Sequence, residues 1–141
     1  MPTVLGLCGL GIPKEVEGLD FTSAMRGGVD PSKGAAVLRC VSPFGEYTRD
    51  RGGREYRGVR TARYTYVRDL NGPWLLYDNV ADPYQMRNLV GLPVHQETQS
   101  ILDAVLRRKL AVQRDEFRPG VEYVRQWGYA VDASGTMPVK P

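Results

Sequence analysis

Tyr56–Leu89, YRGVRTARYTYVRDLNGPWLLYDNVADPYQMRNL, reads as three strands and the turns that join them. Tyr56–Thr61 and Tyr64–Asp69 alternate with the period of a pleat, placing Tyr64, Tyr66 and Arg68 on one face and Thr65 and Val67 on the other. Tyrosine and β-branched residues suit such a half-buried surface. Asn71-Gly72 predicts a tight hairpin, since both residues tolerate positive φ, and Trp74–Tyr77 returns as the next strand. Asp82-Pro83 sets a capping carboxylate before a proline at a first helical position. With Gln85 three residues past the cap and Gly91 as a stop, this predicts a short helical turn.

Upstream, Ala35–Val41 is an apolar run broken by Arg39, short enough for a central strand, and Pro43 ends it. The loop Phe44–Arg54 is polar, glycine-bearing and Arg-rich, which predicts a mobile surface segment. Pro2–Leu10 predicts a helix capped by Thr3 and stopped at Gly9–Gly11, too short to stand alone. Ile12–Gly34 predicts an irregular connector anchored by Leu19, Phe21 and Met25. Downstream, Pro93 opens a long helix whose stripe Ile101, Leu102, Val105, Leu106 and Leu110 must bury against the sheet. Glu97 near its start and Arg107, Arg108 and Lys109 toward its end complement the macrodipole. A last helical turn through Val124 and Trp127 is placed to cover an open sheet margin, before a loose tail. The predicted fold is therefore α+β: a four-stranded antiparallel sheet packed against one long C-terminal helix, with short extra helices.

At 141 residues, 42% hydrophobic and 25% charged, the composition is that of one ordinary soluble domain. No run reaches the length of a membrane span. Val4–Ile12 lacks the basic flank of a signal peptide, so no compartment is legible. Cys8 and Cys40 stand apart without CxxC spacing, which points to buried free thiols rather than a metal site or disulfide framework. The net charge of +3 is unevenly spread: between Arg49 and Arg68 seven arginines face only Asp50 and Glu55, a local excess of five positive charges.

The order of elements and their motifs resembles the C-terminal part of sulfatases, in the alkaline-phosphatase-like superfamily. Thr61-Ala62-Arg63-Tyr64 resembles the family's Arg-Thr-x-Arg-Tyr strand together with Arg60, Leu76-Tyr77-Asp78 its Leu-Tyr-Asp strand, and Asp82–Leu89 its Asp-Pro-x-x-x-x-Asn-Leu turn. Residues 1–28 are similar to the stretch that closes the family's catalytic domain. The resemblance implies three segments: 1–34, a remnant of the catalytic domain's end with its connector; 35–117, the C-terminal subdomain; and 118–141, an extension. In the family, a formylglycine made from Cys or Ser in a Cys/Ser-x-Pro/Ala-x-Arg motif works on a calcium ion. Cys40-Val41-Ser42-Pro43-Phe44 has its proline one place late and phenylalanine where arginine should stand, and Cys8-Gly9-Leu10-Gly11-Ile12 fails at every later position.

No catalytic residue, metal ligand or cofactor is therefore expected in this chain. Calcium and formylglycine are expected in the parent enzyme. Asp78-Asn79 reads as an Asx turn, His95 as a solvated helix residue, and Tyr64, Tyr66, Trp74 and Tyr77 as cross-strand packing. The resemblance implies a subdomain that buttresses a catalytic domain, is inactive alone, and walls part of a substrate cleft, with Arg49, Arg51 and Arg54 as substrate-rim candidates. Against that role, the same arginines are expected to pair with Glu46, Asp50 and Glu55 or to face solvent. The expected partner is the catalytic domain, or a second copy of the chain through the uncovered residues 1–28, with no membrane and with nucleic acid disfavoured. The alternative is an independent Arg-rich module that binds anions or nucleic acid, recognisable by strong salt dependence.

Overall fold

The computed structural model describes residues 1–43 and 46–132, so Phe44, Gly45 and the predicted tail beyond residue 132 lie outside the described residues. The chain divides into two compact units, Met1–Ala36 and Val37–Pro141.

In the first unit, α1 spans Pro2–Leu7 and α2 spans Thr22–Met25. α1 begins at Met1 with no side-chain cap, and proline occupies its first turn, where a missing N–H costs nothing. Thr3 is not the cap. Its hydroxyl instead accepts from the Phe21 N–H at 3.1 Å, while the Thr22 hydroxyl donates to the Thr3 carbonyl at 3.3 Å. Gly9, at φ +70°, stops the helix, and the Leu10 N–H returns to the Leu5 carbonyl at 2.9 Å. The connector is less irregular than expected: it contains α2, entered through an Asx-type turn in which Asp20 accepts from the Thr22 N–H at 2.8 Å. Of its three expected anchors only Phe21 is half-buried, while Leu19 and Met25 are exposed.

The second unit is built on a four-stranded antiparallel sheet in the order β1 (Ala35–Cys40), β2 (Tyr56–Thr61), β3 (Tyr64–Asp69) and β4 (Gly72–Asp78). Val59 faces Tyr66, and Tyr66 faces Leu76, which sets one apolar row across three strands. The β3–β4 turn is made by Leu70 and Asn71, with Asp69 opposite Gly72. Asn71 does not take positive φ. The Asp69 carboxylate closes the turn by accepting from the Asn71 and Gly72 N–H groups at 2.8 and 3.1 Å, and Gly72 alone supplies the unusual φ, +139°.

After a 3₁₀ turn at Pro93–His95, helix α3 (Gln96–Val112) lays Leu102, Leu106 and Leu110 on the row of Val59, Tyr66 and Leu76. These leucines recur every four residues, so they share one face, with Val105 beside them. Ile101 falls at the margin of that face and is exposed, contrary to its expected place in the stripe. The Tyr66 hydroxyl donates to Asp103 on α3 at 2.8 Å, which satisfies the one polar atom the row carries inward. Burial and that carboxylate push the Tyr66 phenol far up from its ordinary value.

The predicted helical turn at Asp82-Pro83 is absent. Gln85 sits at φ +55°, and its amide donates to the Asn79 side chain at 2.9 Å and the Thr65 hydroxyl at 3.1 Å instead of completing a capping box. The turn serves β4, an edge strand. The Asn88 side chain accepts from the Leu76 N–H at 3.0 Å and donates to the Trp74 carbonyl at 2.9 Å, while the Leu89 N–H donates to the Leu76 carbonyl at 2.8 Å. Asn88 and Leu89 thus stand in for a fifth strand and blunt the open edge. At the other margin, α4 (Gly120–Gln126) begins beside the end of β1, where a Cβ on Gly120 would lie 2.5 Å from the Val41 carbonyl oxygen.

Arg57, 1% exposed, binds these parts to one another. Its Nε and Nη2 donate to both oxygens of Asp115 at 2.6 and 3.2 Å, and its Nη1 donates to the Cys40 and Tyr56 carbonyls at 2.9 and 3.0 Å. Removing one partner of such a buried pair costs about 3–5 kcal/mol, because the other charge is left unpaired. Arg57→Met is expected to lower the urea-unfolding free energy of the chain by that amount, and Arg57→Met with Asp115→Leu to recover most of it. A loss below about 1 kcal/mol in the single variant would contradict this reading.

Candidate functional site

Two of the three predicted rim arginines, Arg49 and Arg54, line a concavity of about 310 Å³ between the 3₁₀ turn Arg49–Arg51 and the β3–β4 turn, together with Gly52, Gly53, Glu55, Asp69, Leu70 and Asn71. The turn exists because Gly52 adopts φ +88° and the Gly53 N–H reaches back to the Thr48 carbonyl at 2.8 Å. Arg49 points inward. Both its terminal nitrogens donate to Glu55, one of them at 2.7 Å, and Glu55 is only 2% exposed. α4 closes over this pair: the Gly120 N–H, at its start, donates to the same carboxylate at 2.8 Å. Burial pushes the Glu55 carboxyl up, but the Arg49 and Gly120 hydrogen bonds outweigh it and hold the group below its ordinary value.

Arg54 donates to Asp69 at 2.9 Å, and its guanidinium lies 4.4 Å from the centre of the Trp74 ring. Arg51 is exposed and makes no ion pair among the described residues. The structure thus brings Arg49 and Arg54 to one concavity, each on a carboxylate, and leaves Arg51 at the surface. The local excess of positive charge shrinks in the fold. Beyond these two pairs, Arg57 meets Asp115, Arg63 meets Asp78 and Arg68 meets Asp103, so five of the seven arginines have a carboxylate partner. Four of those carboxylates come from outside Arg49–Arg68, which is why a window count could not include them.

The other singled-out residues take structural places. Asp78 accepts from the Val80 and Ala81 N–H groups at 3.1 and 3.2 Å, an Asx turn, while Arg63 holds its other oxygen at 3.0 Å. Cys40 is half-buried in β1, where burial and then the Glu55 charge push its thiol up, away from the thiolate that reactivity requires. His95 is half-buried in the 3₁₀ turn before α3 rather than solvated. Tyr66 enters the core and Tyr64 packs against it, whereas Trp74 pairs with Tyr56 at 6.0 Å. Arg107 pairs with Asp103 at 2.7 Å.

Among the described residues no three His, Cys, Asp or Glu side chains converge as a metal site would need. The donor set does not fit calcium, since the carboxylates near the rim and the turns are turned toward arginines and backbone N–H groups. No helix is long and apolar enough to cross a membrane among the described residues. Sequence reasoning overlooked a second concavity, lined by Tyr47, Tyr56, Tyr123, Trp127 and Tyr129 beside the end of β1. Its one sequence signal is the spacing of Tyr123, Trp127 and Tyr129, which repeats an aromatic across a single helical turn and its exit.

Residues 1–113 match the family described as N-sulphoglucosamine sulphohydrolase, C-terminal. The chain is 38% identical over 130 residues to the ulvan-active sulfatase of Formosa agariphila, covering 92% of this chain and 25% of that protein. It is 38% identical over 104 residues to the endo-4-O-sulfatase of Bacteroides thetaiotaomicron, covering 63% of this chain and 20% of that protein. Among solved structures, a 2-O GAG sulfatase superposes with a TM-score of 0.67 at 26% identity, over 83% of this chain and 25% of the other. The chain thus spans a quarter or less of the length of these proteins.

The Glu55 junction makes a pH prediction. A carboxyl whose folded value is lowered contributes fully above its ordinary value, here 4.5, and loses that contribution as pH falls through the lowered one. Denaturation midpoints of the chain are expected to fall on acidification below that value, and Glu55→Gln, less stable at neutral pH, is expected to show a shallower acid limb. Parallel acid limbs would show that Glu55 carries none of this dependence.

Proposed function

The chain belongs to the N-sulphoglucosamine sulphohydrolase C-terminal family, and from that membership we propose that it serves as the C-terminal subdomain of a sulfuric ester hydrolase, buttressing a catalytic domain and walling its substrate cleft. The observation that carries the reading is the match of residues 1–113 to that family, in a chain a quarter or less the length of its sulfatase relatives. In this reading residues 1–34 are the end of the catalytic domain, 35–117 the subdomain and 118–141 an extension.

Exposed apolar surface on and beside α1, from Met1, Val4, Leu7 and Leu10, supports a role against a further protein surface. The catalytic domain is the partner this reading assigns to it, with a second copy of the chain as the substitute when that domain is missing. Calcium and formylglycine are the chemistry of the family. In this proposal both reside on the catalytic domain, because neither Cys40 nor the carboxylates of the described residues fit them. The chain's own contribution is positional.

The rim carries the substrate part of the proposal. Arg49 and Arg54 shape the concavity while bound to Glu55 and Asp69, so direct contact with a sulfate or carboxylate on a sugar falls mainly to the exposed Arg51. Such contacts act on substrate affinity more than on the chemical step.

Two measurements test this function. The purified chain with added calcium is expected to give no turnover of an aryl sulfate, and turnover that Cys40→Ala abolishes would overturn the claim. In the full-length enzyme, replacing Arg49, Arg51 and Arg54 with alanine is expected to raise KM for a sulfated oligosaccharide, more at low salt, and to spare a small aryl sulfate. Wild-type kinetics on both substrates would remove the rim from the substrate cleft.

A further inference from the structure

We propose that the aromatic cleft between the end of β1 and α4 binds one anionic pyranose residue, its ring against Trp127 and its sulfate or carboxylate toward Arg39. The cleft encloses about 570 Å³, within the range of small-ligand sites, and is lined by Tyr47, Tyr56, Tyr123, Trp127 and Tyr129 together with Arg39. Trp127 and Tyr129 are 54% and 50% exposed, so two large rings are held in water at the surface of a small unit. Tyr123 and Trp127 lie 5.3 Å apart at 31°, forming one broad platform. Tyr129 stands at 74° to Trp127, 6.0 Å away, as a wall beside it.

A pyranose has an apolar C–H face and a rim of hydroxyls, and it needs a flat ring surface bordered by hydrogen-bonding groups. Among the lining residues, the tyrosines, Ser42 and Arg39 carry the hydrogen-bonding groups for that border, with the Tyr123 hydroxyl already accepting from the Arg118 N–H at 3.2 Å and Arg39 donating to Gln113. An aliphatic peptide would find a different wall, since among aliphatic residues only Val41, Val124 and Val131 line the cleft.

Charge selects among sugars. Arg39 lies 3.8 Å from Asp115, whose carboxylate is already held by Arg57 at 2.6 Å. Two guanidinium groups therefore share one carboxylate, and the unbalanced positive charge sits on Arg39, the more exposed of the two. The cleft is also built in advance. Glu55 holds the Gly120 N–H, and Gly120 packs so closely on Val41 and Ser42 that α4 has one seat against β1.

The proposal takes the class of ligand from the sulfatase reading and the place from the cleft alone. Its test is a titration of the 141-residue chain with a heparin-derived tetrasaccharide and its desulfated counterpart, followed by tryptophan fluorescence and calorimetry. The sulfated probe is expected to bind saturably and more tightly than the desulfated one. Trp127→Ala should weaken both by roughly tenfold or more. Arg39→Gln should remove the preference for sulfate and its salt dependence. Gly120→Ala, which keeps every lining ring but unseats α4, should weaken binding while the Trp127→Ala chain keeps its wild-type unfolding midpoint.

Binding unchanged in Trp127→Ala but lost in Arg51→Ala would move the ligand to the arginine rim and overturn the cleft. Fluorescence changes that track protein concentration, with a dimer in sedimentation, would identify a second copy as the occupant and overturn it equally. Silence with either sugar would also overturn it, without touching the family's hydrolysis, which is read in the full-length enzyme.

Discussion

One buried guanidinium joins β1, β2 and the end of α3. Arg57 spends four N–H bonds on three partners: the Cys40 carbonyl on the neighbouring strand, its own neighbour's carbonyl at Tyr56, and the two oxygens of Asp115. The guanidinium also lies over the Phe117 ring, 4.8 Å from its centre. The arrangement holds the helix exit in an unusual shape, with Arg114 and Phe117 at positive φ, a conformation that costs non-glycine residues of order 1 kcal/mol or more. Burial drives the Asp115 carboxyl up, and hydrogen bonds from Arg57 and the Phe117 N–H more than offset it, leaving the group below its ordinary value. The carboxylate therefore stays ionised, and the pair fixes where the chain goes next, toward Gly120 and α4.

The same device recurs along the sheet. Glu55 joins Arg49 to α4, Asp69 joins Arg54 to the hairpin, Asp103 joins Arg68 and Tyr66 to α3, and Asp78 joins Arg63 to the turn after β4. Five of the seven arginines in the one-dimensional count are ties between elements in three dimensions. Sequence distance explains the difference: the partners of Arg54, Arg57, Arg63 and Arg68 lie 15 to 58 residues away. What remains at the predicted rim is a concavity whose two arginines are held by carboxylates, with Arg51 exposed beside it and outside any ion pair among the described residues.

Edges decide how the sheet meets its surroundings. The Asp-Pro-x-x-x-x-Asn-Leu motif, which carried the family resemblance, has a mechanical meaning here: Asp82 accepts from the Arg87 N–H at 2.7 Å, and that turn delivers Asn88 to the free edge of β4. The opposite margin is served by α4, and its seating on Val41 and Ser42 creates the aromatic cleft as a consequence. A motif thus records an edge cap, while the cleft has no motif because its rings are drawn from three separated segments.

Local physics made the strands legible. Alternation at Tyr56–Thr61 and Tyr64–Asp69, the turn residues between Asp69 and Gly72, and the leucines of α3 each act over a few residues, so their pattern survives in one dimension. The misreadings share one cause. Thr3, Gln85 and Asn71 were each assigned a local role, and each responds to something distant or to a neighbour's side chain: Phe21 for Thr3, Thr65 for Gln85, Asp69 for Asn71. Ile101 belongs to the helix by propensity, but it falls at the margin of the face that Leu102, Leu106 and Leu110 bury and stays exposed. Strand, turn and helix identity came from the order of residues because short-range sterics and pattern govern them. The charge balance of the rim, the seating of α4 and the cleft arose only when the folded chain brought remote carboxylates and rings together, since electrostatic pairing and packing depend on distance in space.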